Sequence, residues 1–214
     1  MGVAAKICGL STEEAVAAAI IGGAAYLGFN FYPASPRAVT PQRAAQLCVS
    51  APAGIARVGL FVDAEDETIG AALAVAPLDI LQFHGTETPE RVLEARLRFG
   101  RPIIKAVPIA GPEDVLGAVR YEDAADRLLF DAKPPRRPDA LPGGNGLAFD
   151  WGLIAGRTWP LPWMLSGGLT AELLPEAVRI SGATAVDVSS GVESRPGVKD
   201  PGKIRAFLAA ASAL

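Results

Sequence analysis

"AVAAAIIGGAAYLGFNFYPA", residues 15–34, has the length and hydropathy of a bilayer-spanning segment, and Asn30 is its one strongly polar side chain. Two features turn that reading aside. Gly22 and Gly23 split the run into an alanine-rich helical half and a strand-like half. Glu13 and Glu14 stand just ahead of it, where a signal peptide carries positive charge. The stretch reads instead as a helix near 12–22 running into a buried strand near 24–30, and no membrane is expected as a partner.

The same alternation extends in both directions. Short apolar runs fall near 4–8, 24–30, 56–63, 79–83, 102–107, 127–131, 162–166 and 184–188. Amphipathic segments follow them near 12–22, 41–50, 65–76, 88–99, 112–120, 150–156, 171–180 and 201–212. Parallel strands joined by right-handed helical crossovers produce this order. Eight such units in a chain of 214 residues predict an α/β fold, a single-domain (βα)8 TIM barrel spanning 1–214. Ser11 with Glu14 has capping-box spacing, Asp200 before Pro201 suits a helix start, and Ile204, Phe207, Leu208 and Ala211 share one apolar face.

Half of the residues are hydrophobic, enough for a large core. The net charge of −3 is distributed without a basic stripe, which excludes a nucleic-acid backbone as the expected partner. Two cysteines, Cys8 and Cys48, form no disulfide framework and point to a reducing compartment, most simply the cytoplasm. Cys48 reads as a small core residue of the second helix.

Side chains alternate along a strand, so one parity faces the barrel interior and the other the helices. Ile7, Leu27, Phe29, Val58, Leu60, Val62, Leu81, Phe83, Ile104, Leu128, Phe130, Leu165, Val186 and Val188 are expected under the helices. The opposite parity carries Lys6, Cys8, Asn30, Asp63, Gln82, His84, Lys105, Asp131, Ser166 and Asp187. These polar groups collect toward the carboxyl ends of strands, where barrel enzymes keep their active sites. Burying so many beside one another is costly unless they do chemistry.

Glycines mark the loops around them. "LSGGLT" (165–170) follows the seventh strand and opens a helix, "VDVSSGVE" (186–193) carries the eighth, and "PGGNG" (142–146) ends a long sixth loop. Backbone N–H groups reach an anion closely at such glycines, so Gly144, Gly167, Gly168, Ser190 and Gly191 are the expected phosphate-binding residues. The sixth loop, from about Ala132 to Phe149, reads as a cover over the substrate. Arg37, in "YPASPR", offers a planar guanidinium to a carboxylate.

His84 is the chain's one histidine and has no metal-ligand spacing around it, and "LSGG" lacks the G-x-S-x-G nucleophile elbow. Cys8 with Asp131 is the remaining acid–base pair. "KICGL" (6–10), "GFNFYPASPR" (28–37), "LQFHG" (81–85), "LLFDAK" (128–133), "GGNGLAFDW" (143–151), "LSGGL" (165–169) and "VDVSSGVE" (186–193) together resemble the phosphoribosylanthranilate isomerases of tryptophan biosynthesis, in order along the whole chain. "KPPRRPDALPGGNG" departs from the family as a proline-rich, slightly long sixth loop.

The resemblance implies an Amadori rearrangement by an aldose–ketose isomerase, with Asp131 as general acid, Cys8 as general base and Arg37 on the anthranilate carboxylate. It implies a phosphosugar substrate and no metal or organic cofactor. Monomer and homodimer stay equally open. Another phosphosugar barrel enzyme, or a barrel that only binds a phosphorylated ligand, is the alternative. A free thiol titrates near 8.5 and a free aspartic acid near 3.9, so the site must adjust both for these roles at neutral pH. An inward Lys6 would favour the Cys8 thiolate, or pair instead with Asp63 or another inner carboxylate.

Overall fold

Eight parallel strands close on themselves in sequence order in the computed structural model, which describes residues 2–134 and 141–214. They are β1 (Ala4–Cys8), β2 (Tyr26–Asn30), β3 (Ala56–Phe61), β4 (Ile80–Phe83), β5 (Ile103–Ile109), β6 (Arg127–Ala132), β7 (Trp163–Leu165) and β8 (Ala185–Val188). Helices α1 (Glu13–Ile21), α2 (Pro41–Cys48), α3 (Asp66–Val75), α4 (Pro89–Phe99), α5 (Pro112–Gly117), α6 (Leu174–Ser181) and α7 (Pro201–Ser212) surround them. The 15–34 stretch is α1 followed by β2, and no described helix is long and apolar enough to cross a membrane.

Local chemistry starts the helices. Thr12, Thr40 and Thr88 cap α1, α2 and α4 through their hydroxyls, and proline occupies the first turn of α2, α4, α5, α6 and α7. Thr12, rather than Ser11, is the cap of α1, because its Oγ1 accepts from the Ala15 N–H at 3.3 Å. Asp200 opens α7 by accepting from the N–H groups of Gly202 and Lys203, and Ile204, Phe207, Leu208 and Ala211 are buried.

Three expectations about the elements are corrected. The helix expected near 150–156 is a single 3-10 turn, Trp151–Leu153; Asp150 caps Gly152 locally, and the glycines at 152 and 156 offer the segment little helical preference. The glycines after β7 do not open a helix directly, since α6 begins only at Leu174. After β8 the chain makes a 3-10 turn, Ser190–Val192, then a hairpin of β9 (Glu193–Arg195) and β10 (Val198–Lys199) that strand periodicity did not reveal.

The parity expectation holds on most strands and reverses on two. Gly28 pairs with Val58 and Asn30 with Leu60, so Val58 and Leu60 share the inward pleat of β2. Val62 continues that face and lines the cleft at the barrel mouth. Lys105 pairs with Phe83 and Leu128, both outward, and so points outward while Ile104 points in. Asp63 lies beyond β3 in a left-handed turn (φ 45°), its carboxylate accepting from the Thr86 N–H at 2.7 Å. Strands apolar on both faces carry no sequence signal of which face is inner; the neighbouring register decides.

The interior has two storeys. Val58, Ile104, Ala106, Leu129, Met164 and Ala185 form an apolar plug toward the amino ends. Above it, toward the carboxyl ends, stand Lys6, Asn30, Gln82, Asp131, Ser166 and Asp187, all buried.

Candidate active site

A cleft opens above the polar storey. Cys8, Asn30, Arg37, His84, Asp131, Gly144, Gly167, Gly168, Asp187, Ser190 and Gly191 all line it, while Lys6 and Gln82 lie behind that lining. Leu141 to Leu147, from the sixth loop, form part of its wall; the remainder of that loop at 135–140 lies outside the described residues.

Cys8 ends β1 and Asp131 lies near the end of β6, so β7 and β8 separate them around the barrel. The thiol is buried, and burial pushes its pKa up against the opposing pull of the Lys6 ammonium. Lys6 is committed chiefly to Asp187, its Nζ donating to Oδ1 at 2.8 Å, and Ser166 donates to the other carboxylate oxygen at 3.3 Å. Burial disfavours the Lys6 charge, but the Asp187 carboxylate outweighs it and the lysine pKa is raised. The partner left open for Lys6 is thus Asp187, not Asp63.

Asp131 is held at both oxygens. The Ala132 N–H donates to Oδ1 at 2.9 Å, and His84 Nε2 lies 3.1 Å from Oδ2. Behind the imidazole, Gln82 Nε2 lies 2.9 Å from His84 Nδ1.

Arg37 reaches the cleft as the centre of a network. Its Nε and Nη2 donate to both carboxylate oxygens of Glu193, at 2.7 and 2.9 Å, and Nη2 also donates to the Gly144 carbonyl at 3.2 Å. Lys199 Nζ donates to Glu193 Oε1 at 2.9 Å and to the Ser189 carbonyl at 2.8 Å, and Ser189 Oγ donates to the Cys8 carbonyl at 3.1 Å. Burial opposes the Glu193 charge, but Arg37 and Lys199 overcome it and keep its pKa below the ordinary carboxylate range. Nη1 of Arg37 has no hydrogen-bond partner among the described residues. Asn30 shapes the loop that brings Arg37 in, accepting from the Tyr32 N–H at 2.8 Å and donating to Ser35 Oγ at 3.2 Å.

Glu193 and Lys199 were not legible as site residues. Glu193 stood at the end of the quoted "VDVSSGVE", but nothing in the sequence paired it with Arg37 across 156 positions. Lys105, expected inside, lies outside the barrel wall, where its Nζ donates to Glu87 Oε2 and to the Gly85 carbonyl.

Gly168 shows why glycine is required beside the cleft. Its φ is +63°, and a Cβ there would lie 2.8 Å from the backbone of Leu147 and Ala148. The loop after β7 therefore touches the sixth-loop backbone directly, which brings two of the three glycine clusters together.

Fold and cleft define a (βα)8-barrel enzyme with its chemistry at the carboxyl ends of the strands. The family model of N-(5'phosphoribosyl)anthranilate (PRA) isomerase matches residues 5–210. Isomerases of that name from Rhodospirillum centenum and Cereibacter sphaeroides are 57% identical over 214 residues, covering 100% of each chain, and 58% identical over 207 residues, covering 97% of each. The crystal structure of the Thermotoga maritima phosphoribosyl anthranilate isomerase superposes with a TM-score of 0.87 at 35% identity, covering 99% of this chain and 100% of that one. A further isomerase structure, in complex with reduced 1-(o-carboxyphenylamino)-1-deoxyribulose 5-phosphate, gives a TM-score of 0.84 at 33% identity with the same coverage. The chain belongs to the N-(5'-phosphoribosyl)anthranilate isomerase family. It catalyses the Amadori rearrangement of N-(5'-phosphoribosyl)anthranilate in tryptophan biosynthesis.

Proposed function

We propose that Cys8 and Asp131 divide the proton transfers of this isomerisation, with Arg37 on the anthranilate carboxylate and Gly144, Gly167, Gly168, Ser190 and Gly191 on the phosphate. The observation that carries this reading is the convergence of all eight residues on one cleft at the barrel mouth. Asp131 delivers its proton to the ribose ring oxygen as the C1–O bond breaks and the nitrogen lone pair forms a C1=N bond. The Cys8 thiolate then takes the C2 proton, and the C2–H electron pair becomes the C1=C2 bond of an enolamine. Loss of the C2 hydroxyl proton and protonation at C1 leave the ketone, so the isomerisation releases as many protons as it consumes.

The thiol must ionise for its step, and the ammonium of Lys6 beside it supports the thiolate against burial. Arg37 is presented with two of its nitrogens already held by Glu193, so a substrate carboxylate meets a guanidinium of set orientation. The family relationship supports either a monomer or a homodimer, a dimeric Thermotoga maritima relative having been generated as monomers. The two unpaired cysteines support a reducing, cytoplasmic setting.

Loss of the substrate's fluorescence, with phosphoribosylanthranilate generated in place, tests the assignment. Cys8→Ala and Asp131→Asn are expected to lose kcat, and Arg37→Ala to raise KM. Wild-type turnover by Cys8→Ala would move the base to another residue.

A further inference from the structure

Beside Asp131 stands a polar pair, Gln82 and His84, that the proton transfers above do not use. Gln82 is completely buried, its Nε2 lies 2.9 Å from His84 Nδ1, and its Oε1 has no hydrogen-bond partner among the described residues. His84 Nε2 reaches Asp131 Oδ2 at 3.1 Å. The sixth loop covers this contact: a Cβ on Gly143 would lie 2.5 Å from His84 Nε2 and 2.8 Å from Asp131 Oδ2, so a side chain at 143 would push against both groups. A buried amide oxygen without a partner is costly unless another state of the site uses it.

The reaction supplies such a state. A general acid must carry a proton at neutral pH, where a free aspartic acid side chain is ionised and a free imidazole is partly protonated. An imidazolium at position 84 needs an acceptor at each nitrogen. Asp131 Oδ2 serves Nε2, and Gln82 Oε1 serves Nδ1 once the amide turns over. That turn breaks no bond at Oε1, because none is made there, and exchanges one hydrogen bond to Nδ1 for another. The same glutamine therefore suits both the neutral and the protonated imidazole.

We infer that Gln82, His84 and Asp131 form one relay in which His84 stores the proton that Asp131 delivers. The inference rests on the assignment of Asp131 as the general acid. In the loaded state the pair shares one proton, as carboxylate with imidazolium or as carboxylic acid with neutral imidazole. When the imidazolium passes its Nε2 proton to Asp131 and Asp131 delivers it to the ring oxygen, the imidazole is left neutral as the Nδ1–H tautomer, that proton held by Gln82 Oε1, and the proton released later in the turnover returns through Asp131 to Nε2. His84 acts through Asp131; it is a positioning residue that sets the charge state of Asp131.

Other charges bear on the pair from every side. Asp63, Glu87 and Lys105 lie at the adjacent Gly85–Glu87 turn, where they are engaged with its backbone. Cys8, Arg37 and Asp187 line the same cleft.

The test is the pH profile of kcat. A donor that must be protonated loses activity as pH rises, so a pair loaded through an imidazole holds activity to higher pH than a carboxylic acid alone. His84→Gln keeps a donor for Asp131 but cannot store a proton. It should bring the alkaline limb down by a unit or more and cut kcat at least about tenfold at pH 7.5, with KM within about twofold. Gln82→Leu should move the limb the same way, and Gln82→Glu, which keeps an acceptor for Nδ1–H, should hold it at or above its wild-type position.

Because the chain contains one histidine, 15N-histidine NMR of the wild-type enzyme reads the imidazole directly without any substitution. Its double protonation should follow the alkaline limb of kcat. An unshifted limb in His84→Gln, or an imidazole that stays neutral across the active pH range, would overturn the relay. If Asp131→Asn turned over like wild type, the acid assignment itself would fail. If Asp131→Asn were inactive while His84→Gln kept the wild-type profile, the relay alone would fail.

Discussion

The two storeys of the barrel interior are built from the same inward pleats and obey opposite rules. Val58, Leu129 and Met164 belong to the apolar plug, and each is fully buried. Two residues further along the same strands, Leu60, Asp131 and Ser166 line the cleft. The lower storey buries side chains that ask nothing of their neighbours. The upper storey buries Lys6, Asp187, Gln82 and Asp131, each needing partners, and leaves the Gln82 amide oxygen without one among the described residues. Stability resides in the plug and chemistry in the layer above it, two residues apart along each strand.

The sharpest separation of the storeys comes from Cys8→Ala and Asp131→Asn. Each should lower kcat by about 10²–10⁴-fold. Denaturant midpoints should stay close to wild type, because neither substitution opens the plug. A large loss of stability in both variants would mean that these residues hold the barrel together, and the division between storeys would fail.

The converse is Leu129→Ala, two positions before Asp131 on the inward face of β6. Removing a fully buried leucine should cost about 2–5 kcal/mol of stability, read as a lower urea midpoint at unchanged m-value. At temperatures where the variant remains folded, KM should be unchanged. A KM rise as large as that of Arg37→Ala would show that the plug tunes the cleft directly.

A smaller effect is expected at the rim. Glu193→Gln keeps the shape of the Arg37 partner and removes its charge, so KM should rise less than in Arg37→Ala while kcat is retained. Arg37→Lys should recover only part of the affinity, since the planar fork is lost. Equal KM values for wild type and Glu193→Gln would remove Glu193 from the positioning of Arg37.

The mildest probe is alkylation of Cys8 in a Cys48→Ser background. Burial pushes the thiol pKa up, so the thiolate forms only as pH rises, and inactivation by iodoacetamide should accelerate with a midpoint above the ordinary thiol value of about 8.5. Saturating reduced product analogue should protect. A midpoint below 8 would show that the ammonium of Lys6 dominates burial.

Most of this division was legible before the structure. Cys8, Asn30, His84, Asp131, Ser166 and Asp187 alternate with large apolar residues on their strands, and that period of two assigns each to the cleft side. It failed on β3, where Val58, Leu60 and Val62 are apolar and face inward, and on β5, where the charged Lys105 faces outward. There the polar residue was read as inner, whereas the outer face of β5 holds its own ion pair with Glu87. The helix expected at 150–156 failed for a local reason, since a glycine-punctuated segment keeps only one 3-10 turn.

The sequence by itself determined the number and order of the strands, the start of the last helix at Asp200 and Pro201, the glycine loops, and the residue types available for acid–base chemistry. Those follow from local periodicity, backbone freedom and side-chain chemistry, which a single chain records position by position. Tertiary structure alone decided that Lys6 answers Asp187 across 181 positions, that Glu193 holds Arg37, and that Gln82 and His84 stand behind Asp131. Partners of a buried charge are chosen by which strands and loops meet at the barrel mouth, and that is set by register and closure, which no local pattern encodes.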